Sequence, residues 1–262
     1  MAGATISNYC RRGDLAGLQV YSKSFGVDVG AHLSLALITA CSYGHLAIVQ
    51  WLHQEFDLTA ADVRSHSNAA FRSACWGRHI AVAQWLHQTF QLTAADARAD
   101  DDSALRQACL WEHLALAQWL HDTFQLTAED ARACSNEALR EACRFGHLAV
   151  AQWLYNTFLL TASDAQDENN YALQWACAGN HLEVAQWLYD TFALSAEDAI
   201  PAICEVCGRD NLYALRWIQQ TWGLSPAALA AARAHAPRGG ACAAYLRDLA
   251  CGPPTVPRRT GD

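Results

Sequence analysis

The sequence predicts an all-α or nearly all-α solenoid of about seven stacked helical units with a terminal helix pair, and three observations carry that prediction. The dipeptide Trp-Leu recurs at 51–52, 85–86, 119–120, 153–154 and 187–188, each step being 34 residues. Self-similarity at a fixed period of this size marks an array in which each unit buries its apolar face against its neighbours. A wider window repeats as well, since Gly146 to Leu154 is similar to Gly44 to Leu52 and to Asn180 to Leu188. Degenerate copies stand at both ends, as capping units should.

The five best copies run about 33–64, 67–98, 101–132, 135–166 and 169–200. Each opens with a short helical pattern such as Asn136 to Cys143, in which Leu139 and Cys143, and likewise Ala138 and Ala142, are four residues apart and make one apolar face. A turn follows at Arg144-Phe145-Gly146, where glycine suits a left-handed helix end. The second helix, from His147 to about Thr157, places Val150, Leu154 and Phe158 on one side, widened by Ala151 and Trp153. The connector then follows its own rule, Leu-Thr-x-x-Asp, at 58–62, 92–96 and 126–130. Thr followed three residues later by Asp is similar to a capping box and predicts one extra helical turn. The next helix is expected to start near Asn68, Ser103, Asn136 or Asn170, each a good cap residue.

These units give residues 1–30 as an N-terminal capping repeat, 31–224 as the array and 225–251 as a C-terminal capping helix pair. Residues 252–262, Gly-Pro-Pro-Thr-Val-Pro-Arg-Arg-Thr-Gly-Asp, are expected to be disordered.

Composition excludes several function classes. Hydrophobic content is 52%, enough for a continuous core, yet no stretch approaches the ~18 uninterrupted apolar residues of a membrane span. No secretory signal is visible in Met1 to Asn8, so cytosol or nucleus is the expected compartment, and not an extracellular one. Seven of the eleven cysteines (Cys10, Cys41, Cys75, Cys109, Cys143, Cys177 and Cys207) share one repeat position. Packed helices lie ~8–10 Å apart, whereas a disulfide needs Cα atoms within about 7 Å. These cysteines are therefore read as small buried apolar groups in a reducing compartment. The net charge of −8, from 26 acids and 18 bases, argues against nucleic-acid and anionic-membrane binding.

The segment Ala142-Cys143-Arg144-Phe145-Gly146-His147-Leu148-Ala149-Val150-Ala151-Gln152-Trp153-Leu154 resembles the ankyrin repeat, whose core reads Ala-Ala-x-x-Gly-His-x-x-Val-Val-x-x-Leu-Leu. The resemblance covers about residues 5–224. Within that family, the Gln-Trp-Leu ending and the Leu-Thr-x-x-Asp connector resemble the repeats of amoeba-infecting giant DNA viruses of the pandoravirus type. Two departures bear on the fold. Glu137-Ala138-Leu139-Arg140 and Ser103-Ala104-Leu105-Arg106 stand where the family has Thr-Pro-Leu-His, and the glycine of the connecting hairpin is missing. The expectation is an ankyrin-like array with little or no β-hairpin. The turn glycine is replaced by Arg78, Glu112 and Asn180 in three copies, with Gly77 and Gly179 one position early, which points to a shifted turn register.

Candidate chemistry gives way to structure at each point. His45, His79, His113, His147 and His181 form one ladder, and His53, His87 and His121 a second. Zinc needs ligands ~2.0–2.1 Å from the metal, which rungs ~10 Å apart cannot supply. The resemblance implies that the first ladder hydrogen-bonds between adjacent turns. Cys204-x-x-Cys207 has no matching second pair and reads as packing. No phosphate loop, nucleophile elbow or His-Glu-x-x-His motif occurs. No catalytic residue, cofactor or metal is assigned, and an enzyme is not expected. Trp51, Trp85, Trp119, Trp153, Trp187 and Trp217 are read as core.

The candidate site consists of aromatics at variable positions. Tyr43, Trp111 and Phe145 align with Gly77 and Gly179; Trp76 aligns with Ser42, Leu110 and Arg144; Trp175 aligns with Ser73, Gln107 and Glu141. A position that accepts serine or glutamate is expected to be exposed, and exposed aromatics are frequent interface anchors. Asp100, Asp101, Asp102, Asp167 and Glu168 would form an acidic rim that selects a basic partner. The expected function is non-catalytic protein–protein recognition through the first helices and connectors, by a monomer that binds no nucleic acid, membrane or small-molecule substrate. A substrate adaptor in host ubiquitin ligation and a virion-packaged structural protein are the alternatives.

Overall fold

A computed structural model describes residues 2–25 and 29–251; the expected disordered tail at 252–262 lies outside them. The chain forms two compact units, Met1–Ala138 and Leu139–Asp262. Among the described residues every regular element is helical. In chain order these are α1 (Ala2–Arg12), α2 (Leu15–Phe25), a 3₁₀ turn (Gly30–His32), α3 (Leu33–Ser42), α4 (Leu46–Phe56), α5 (Ala60–Trp76), α6 (Ile80–Phe90), α7 (Ala94–Ala97), α8 (Ala99–Leu110), α9 (Leu114–Phe124), α10 (Ala128–Ala131) and α11 (Ala133–Arg144). Then follow α12 (Leu148–Phe158), α13 (Ala162–Ala165), α14 (Asp167–Ala178), α15 (Leu182–Thr191), α16 (Ile200–Gly208), α17 (Leu212–Thr221), α18 (Pro226–His235) and α19 (Ala241–Cys251). The connectors between helix pairs thus contain no strand among the described residues, as the sequence led one to expect.

In the first unit, the first helices α1, α3, α5 and α8 pack one on the next; in the second unit α14, α16 and α18 do the same, with α19 against α17. The residues that drive this stacking are small and repeated. Cys10, Cys41, Cys75 and Cys109 in one unit, and Cys143, Cys177 and Cys207 in the other, are fully buried free thiols. Burial alone pushes the Cys10 thiol up to about 11, so these side chains act as neutral apolar groups. Each second helix buries one stripe, which in α12 is Val150, Ala151, Leu154 and Phe158.

The tryptophan column is not core, which corrects the sequence expectation. Trp51, Trp85, Trp119, Trp153, Trp187 and Trp217 are all only partly buried. Each buried stripe is filled by the neighbouring leucine, so the indole lies at the flank of the stripe. There it meets rings edge-on: Trp85 packs at 5.7 Å against both Phe90 and His53, and Tyr155 lies 6.1 Å from Trp187. His53 and His87 also donate from Nδ1 to the carbonyls of Leu58 and Leu92.

The connector leucines Leu58, Leu92, Leu126, Leu160 and Leu194 are buried, and the following turn is fixed by capping. Thr59, Thr93, Thr127 and Thr161 each form a reciprocal capping box with Asp62, Asp96, Asp130 and Asp164. Four-residue helices α7, α10 and α13 result, a length that cannot persist without such end contacts. Asp96 and Asp130 also take a bidentate guanidinium from one repeat earlier: Arg64 binds Asp96 at 2.8 and 3.0 Å, and Arg98 binds Asp130 at 2.6 and 2.9 Å. In the second unit Gln166 replaces the arginine and donates to Asp198 at 3.0 Å. Burial alone would raise the Asp96 carboxyl, but the hydrogen bonds from Arg64 and Thr93 outweigh it and hold the group at about 2.

The expected caps at Asn68, Asn136 and Asn170 are a second correction. Each of these asparagines is buried and lies at the end of a left-handed run: His66-Ser67-Asn68 at φ 53, 56 and 59°, Cys134-Ser135-Asn136 at 53, 57 and 56°, Glu168-Asn169-Asn170 at 49, 60 and 62°. Ser103 follows Asp100 and Asp101 at φ 61 and 53° and sits inside α8. Asparagine recurs here because it tolerates the left-handed region, which costs other L-residues about 1–2 kcal/mol each.

The turn register is a third. Arg78, Glu112 and Asn180 hold φ values of 67, 59 and 62°, the same left-handed conformation as Gly44 and Gly146 at 76 and 80°. Helix stacking sets where each turn falls, and the non-glycine residues absorb the strain. At Gly44 there is a further constraint, because a Cβ would lie 2.3 Å from the His79 ring of the next repeat.

Two outcomes follow. In urea unfolding, Gly44→Ala lowers stability by about 2 kcal/mol or more, whereas Arg78→Gly raises it by about 1 kcal/mol; a stabilised Gly44→Ala would contradict the turn assignment. Asp96→Asn keeps the capping oxygen but loses the charge, and costs about 1–2 kcal/mol at neutral pH. Because the folded carboxyl is held below its ordinary value, this contribution is full above about pH 4 and disappears as the pH falls through about 2. Stability curves of the two proteins should therefore converge in acid; a constant offset would contradict the charge-based origin.

Candidate protein-binding face

The first helices present one repeated polar position that positions everything around it. Arg72, Arg106 and Arg140, with Gln174 in the next copy, stand 34 residues apart. In α5 the Arg72 guanidinium donates from Nε to the Ser67 carbonyl at 2.8 Å and from Nη2 to the His66 carbonyl at 3.3 Å, while Nη1 pairs with Asp100. In α8 Arg106 repeats the pattern on the Asp101 and Asp100 carbonyls at 2.8 and 3.1 Å and pairs with Glu137. Each arginine braces its own left-handed turn and clamps the next repeat. Gln174 keeps only the first contact, donating to the Asn169 carbonyl. Sequence reasoning missed this column, although its period was visible.

On the first unit this framework displays three of the candidate aromatics. Trp76, at the end of α5, is 56% exposed, and Trp111, at the end of α8, is 50% exposed. The Trp111 indole Nε1 donates to Gln107 Oε1 at 3.3 Å. Tyr43 is exposed with the Arg11 guanidinium 5.7 Å from its ring centroid. Of the acidic candidates here, Asp100 and Asp101 are exposed; Asp100 is tied to Arg72, and the Asp102 side chain lies outside the described residues. Trp76 and Asp100 come together in one cleft of about 350 Å3 between α5 and α8, together with Arg72, Ser73, Arg106 and Gln107.

On the second unit the remaining candidates form a different cluster. The Arg144 guanidinium lies 5.2 Å from the Phe145 ring and 4.8 Å from the Trp175 ring, and Arg209 lies 4.4 Å from Trp175. Tyr171 packs tilted on Trp175 at 5.7 Å and accepts from Arg144 at 3.3 Å; Arg140 lies over Tyr171 at 5.0 Å. Phe145 is exposed, whereas Trp175 is half-buried beneath these cations. Glu168 is exposed, 3.9 Å from Arg140, and Asp167 caps the Glu168 backbone N–H at 3.0 Å. Of the acids predicted as a rim, Asp100 and Glu168 therefore face the chain's own arginines.

His45, His79 and His181 of the first ladder link neighbouring turns. His45 Nε2 donates to the Arg11 carbonyl at 3.0 Å, and His79 and His181 bond the Ser42 and Arg144 carbonyls. Burial holds the His79 and His181 imidazoles below their ordinary range. Among the described residues no three His, Cys, Asp or Glu side chains converge as a metal site, and no helix is long and apolar enough to cross a membrane. The Cys204 and Cys207 thiols are both pushed up, chiefly by burial, which is opposite to what a redox-active pair requires.

The sequence matches the family model of ankyrin repeats (many copies) over residues 105–155 and 139–189. No curated protein matches the chain. Ankyrin repeats are thus recognised within it, and such repeats generally mediate protein–protein interaction.

The two kinds of tryptophan should separate in a stability measurement. Trp175→Ala removes two cation–π contacts and costs about 1–3 kcal/mol. Trp76→Ala, at an open position, changes stability by less than about 0.5 kcal/mol. Equal losses would show that both indoles simply pack.

Proposed function

We propose that this chain is a non-catalytic scaffold that takes a partner protein against the first-helix face of residues 1–138, with Trp76 and Trp111 as anchors. The observation that carries this reading is the exposure of two indoles at the ends of successive first helices. No side chain of the described residues stacks on either ring, whereas Tyr43, Phe145 and Trp175 each have an arginine of this chain against them. A large aromatic held in water by a rigid helix loses little conformational freedom on binding, which is why Trp is enriched among interface hot spots. The rigidity comes from the arginine column and the capped connectors beneath it. Free thiols at the described cysteines fit a reducing compartment, cytosol or nucleus. The resemblance to giant-virus repeats makes an amoebal host the first place to look for the partner.

The test is affinity capture from amoebal lysate with wild-type protein, Trp76→Ala/Trp111→Ala and Trp175→Ala, each checked for helicity. A prey retained by wild type and by Trp175→Ala but lost from the double variant is the expected result. A prey held equally by all three would remove these indoles from the binding surface.

A further inference from the structure

We propose that the cleft between α5 and α8 is an arginine-accepting subsite, in which a partner's guanidinium stacks on Trp76 and pairs with Asp100. The inference rests on the reading of this face as the binding surface and names the chemistry of what enters it. The cleft offers one open aromatic wall, one half-exposed carboxylate and the side chains of Arg72, Ser73, Arg106 and Gln107. Two arginines in the wall would ordinarily suggest an anionic ligand, but each nitrogen of both guanidinium groups already donates once, and one contact of each group neutralises it against a carboxylate. Arg72 is bound to two backbone carbonyls and to Asp100, and Arg106 to two backbone carbonyls and to Glu137. Asp100, by contrast, uses Oδ2 on Arg72, and its Oδ1 makes no hydrogen bond to the described residues. Asp100 Oδ1 is thus an open acceptor in the same cleft as an uncovered indole face.

The same chain shows how such a pairing looks when it is satisfied internally. Trp175 occupies the first-helix position aligned with Ser73, and guanidinia of this chain lie 4.8 and 4.4 Å from its ring. Those distances are inside the ~6 Å range in which a cation is attracted to an aromatic face. Tyr43 and Phe145 are each approached by an arginine too. Trp76 has the exposure of these rings and lacks the cation. The formal charge of −8 favours a cationic visitor at longer range.

The probe is N-acetyl-arginine amide, titrated into uniformly ¹⁵N-labelled full-length protein while indole Nε1–H resonances are followed. The Trp76 resonance is identified by its loss in Trp76→Phe. A saturable shift of that resonance is expected, with the neutral isostere N-acetyl-citrulline amide and the acidic N-acetyl-glutamate amide at least threefold weaker, the ratio expected for an exposed cation–π pair of about 0.7 kcal/mol. Asp100→Asn should bring arginine and citrulline closer together. The comparison of the three probes is made on unaltered protein, so it does not depend on Asp100→Asn folding. No shift with arginine, equal shifts with citrulline, or a stronger response to the glutamate probe would each overturn the proposal. Loss of prey in the capture experiment tests the face itself, so a failed subsite and a failed face are distinguishable.

Discussion

The connector aspartate is the interaction on which the rest of the array depends. At Asp96 and Asp130 one carboxylate closes a capping box with its own threonine and receives a bidentate guanidinium from the preceding repeat. A four-residue helix has no intrinsic stability, so the turn exists because the carboxylate satisfies its orphan amides. The same carboxylate fixes the spacing of two repeats. No strand pairing contributes to that spacing among the described residues.

A second constraint follows from the first. Once the short helix is capped, the chain must reverse into the next first helix within a few residues. It does so through consecutive left-handed residues, a conformation that L-amino acids disfavour. Arg72 and Arg106 bind the carbonyls of that turn from five and six residues downstream, and each then pairs with an acid of the following copy. Strain, brace and inter-repeat ion pair are one arrangement. Its outer surface is the first-helix face, which is why Trp76 and Trp111 project from a rigid base.

Much of this was legible in the sequence. The period, the helix pairs, the buried cysteines and the capping box could all be read from spacing, since each depends on residues a few positions apart. The misreadings share a cause. Trp85 and its equivalents looked like core because periodicity reports a face and not the width of the buried stripe. Asn68 and Asn170 looked like caps because asparagine favours both N-caps and left-handed turns, and composition cannot separate the two. Arg78 and Glu112 suggested a shifted turn, although stacking from both sides imposes the register whatever residue occupies it. The fate of Asp100 and Glu168 depended on partners 28 residues away, Arg72 and Arg140, which local reading does not pair. Exposure of Trp76 and Trp111 was anticipated from tolerance of polar residues at the same repeat position; the arginines over Trp175 were not.

The central claim is that the face built on α5 and α8 is where a partner protein docks. Site-specific photocrosslinking tests it most directly, with p-benzoylphenylalanine placed either at Ser73, which lines the cleft, or at Gln118, exposed on the second helix α9. Irradiation in amoebal lysate should yield a discrete adduct from position 73 and none from position 118. An adduct from position 118 with none from position 73 would put the partner on the opposite helices and contradict the account.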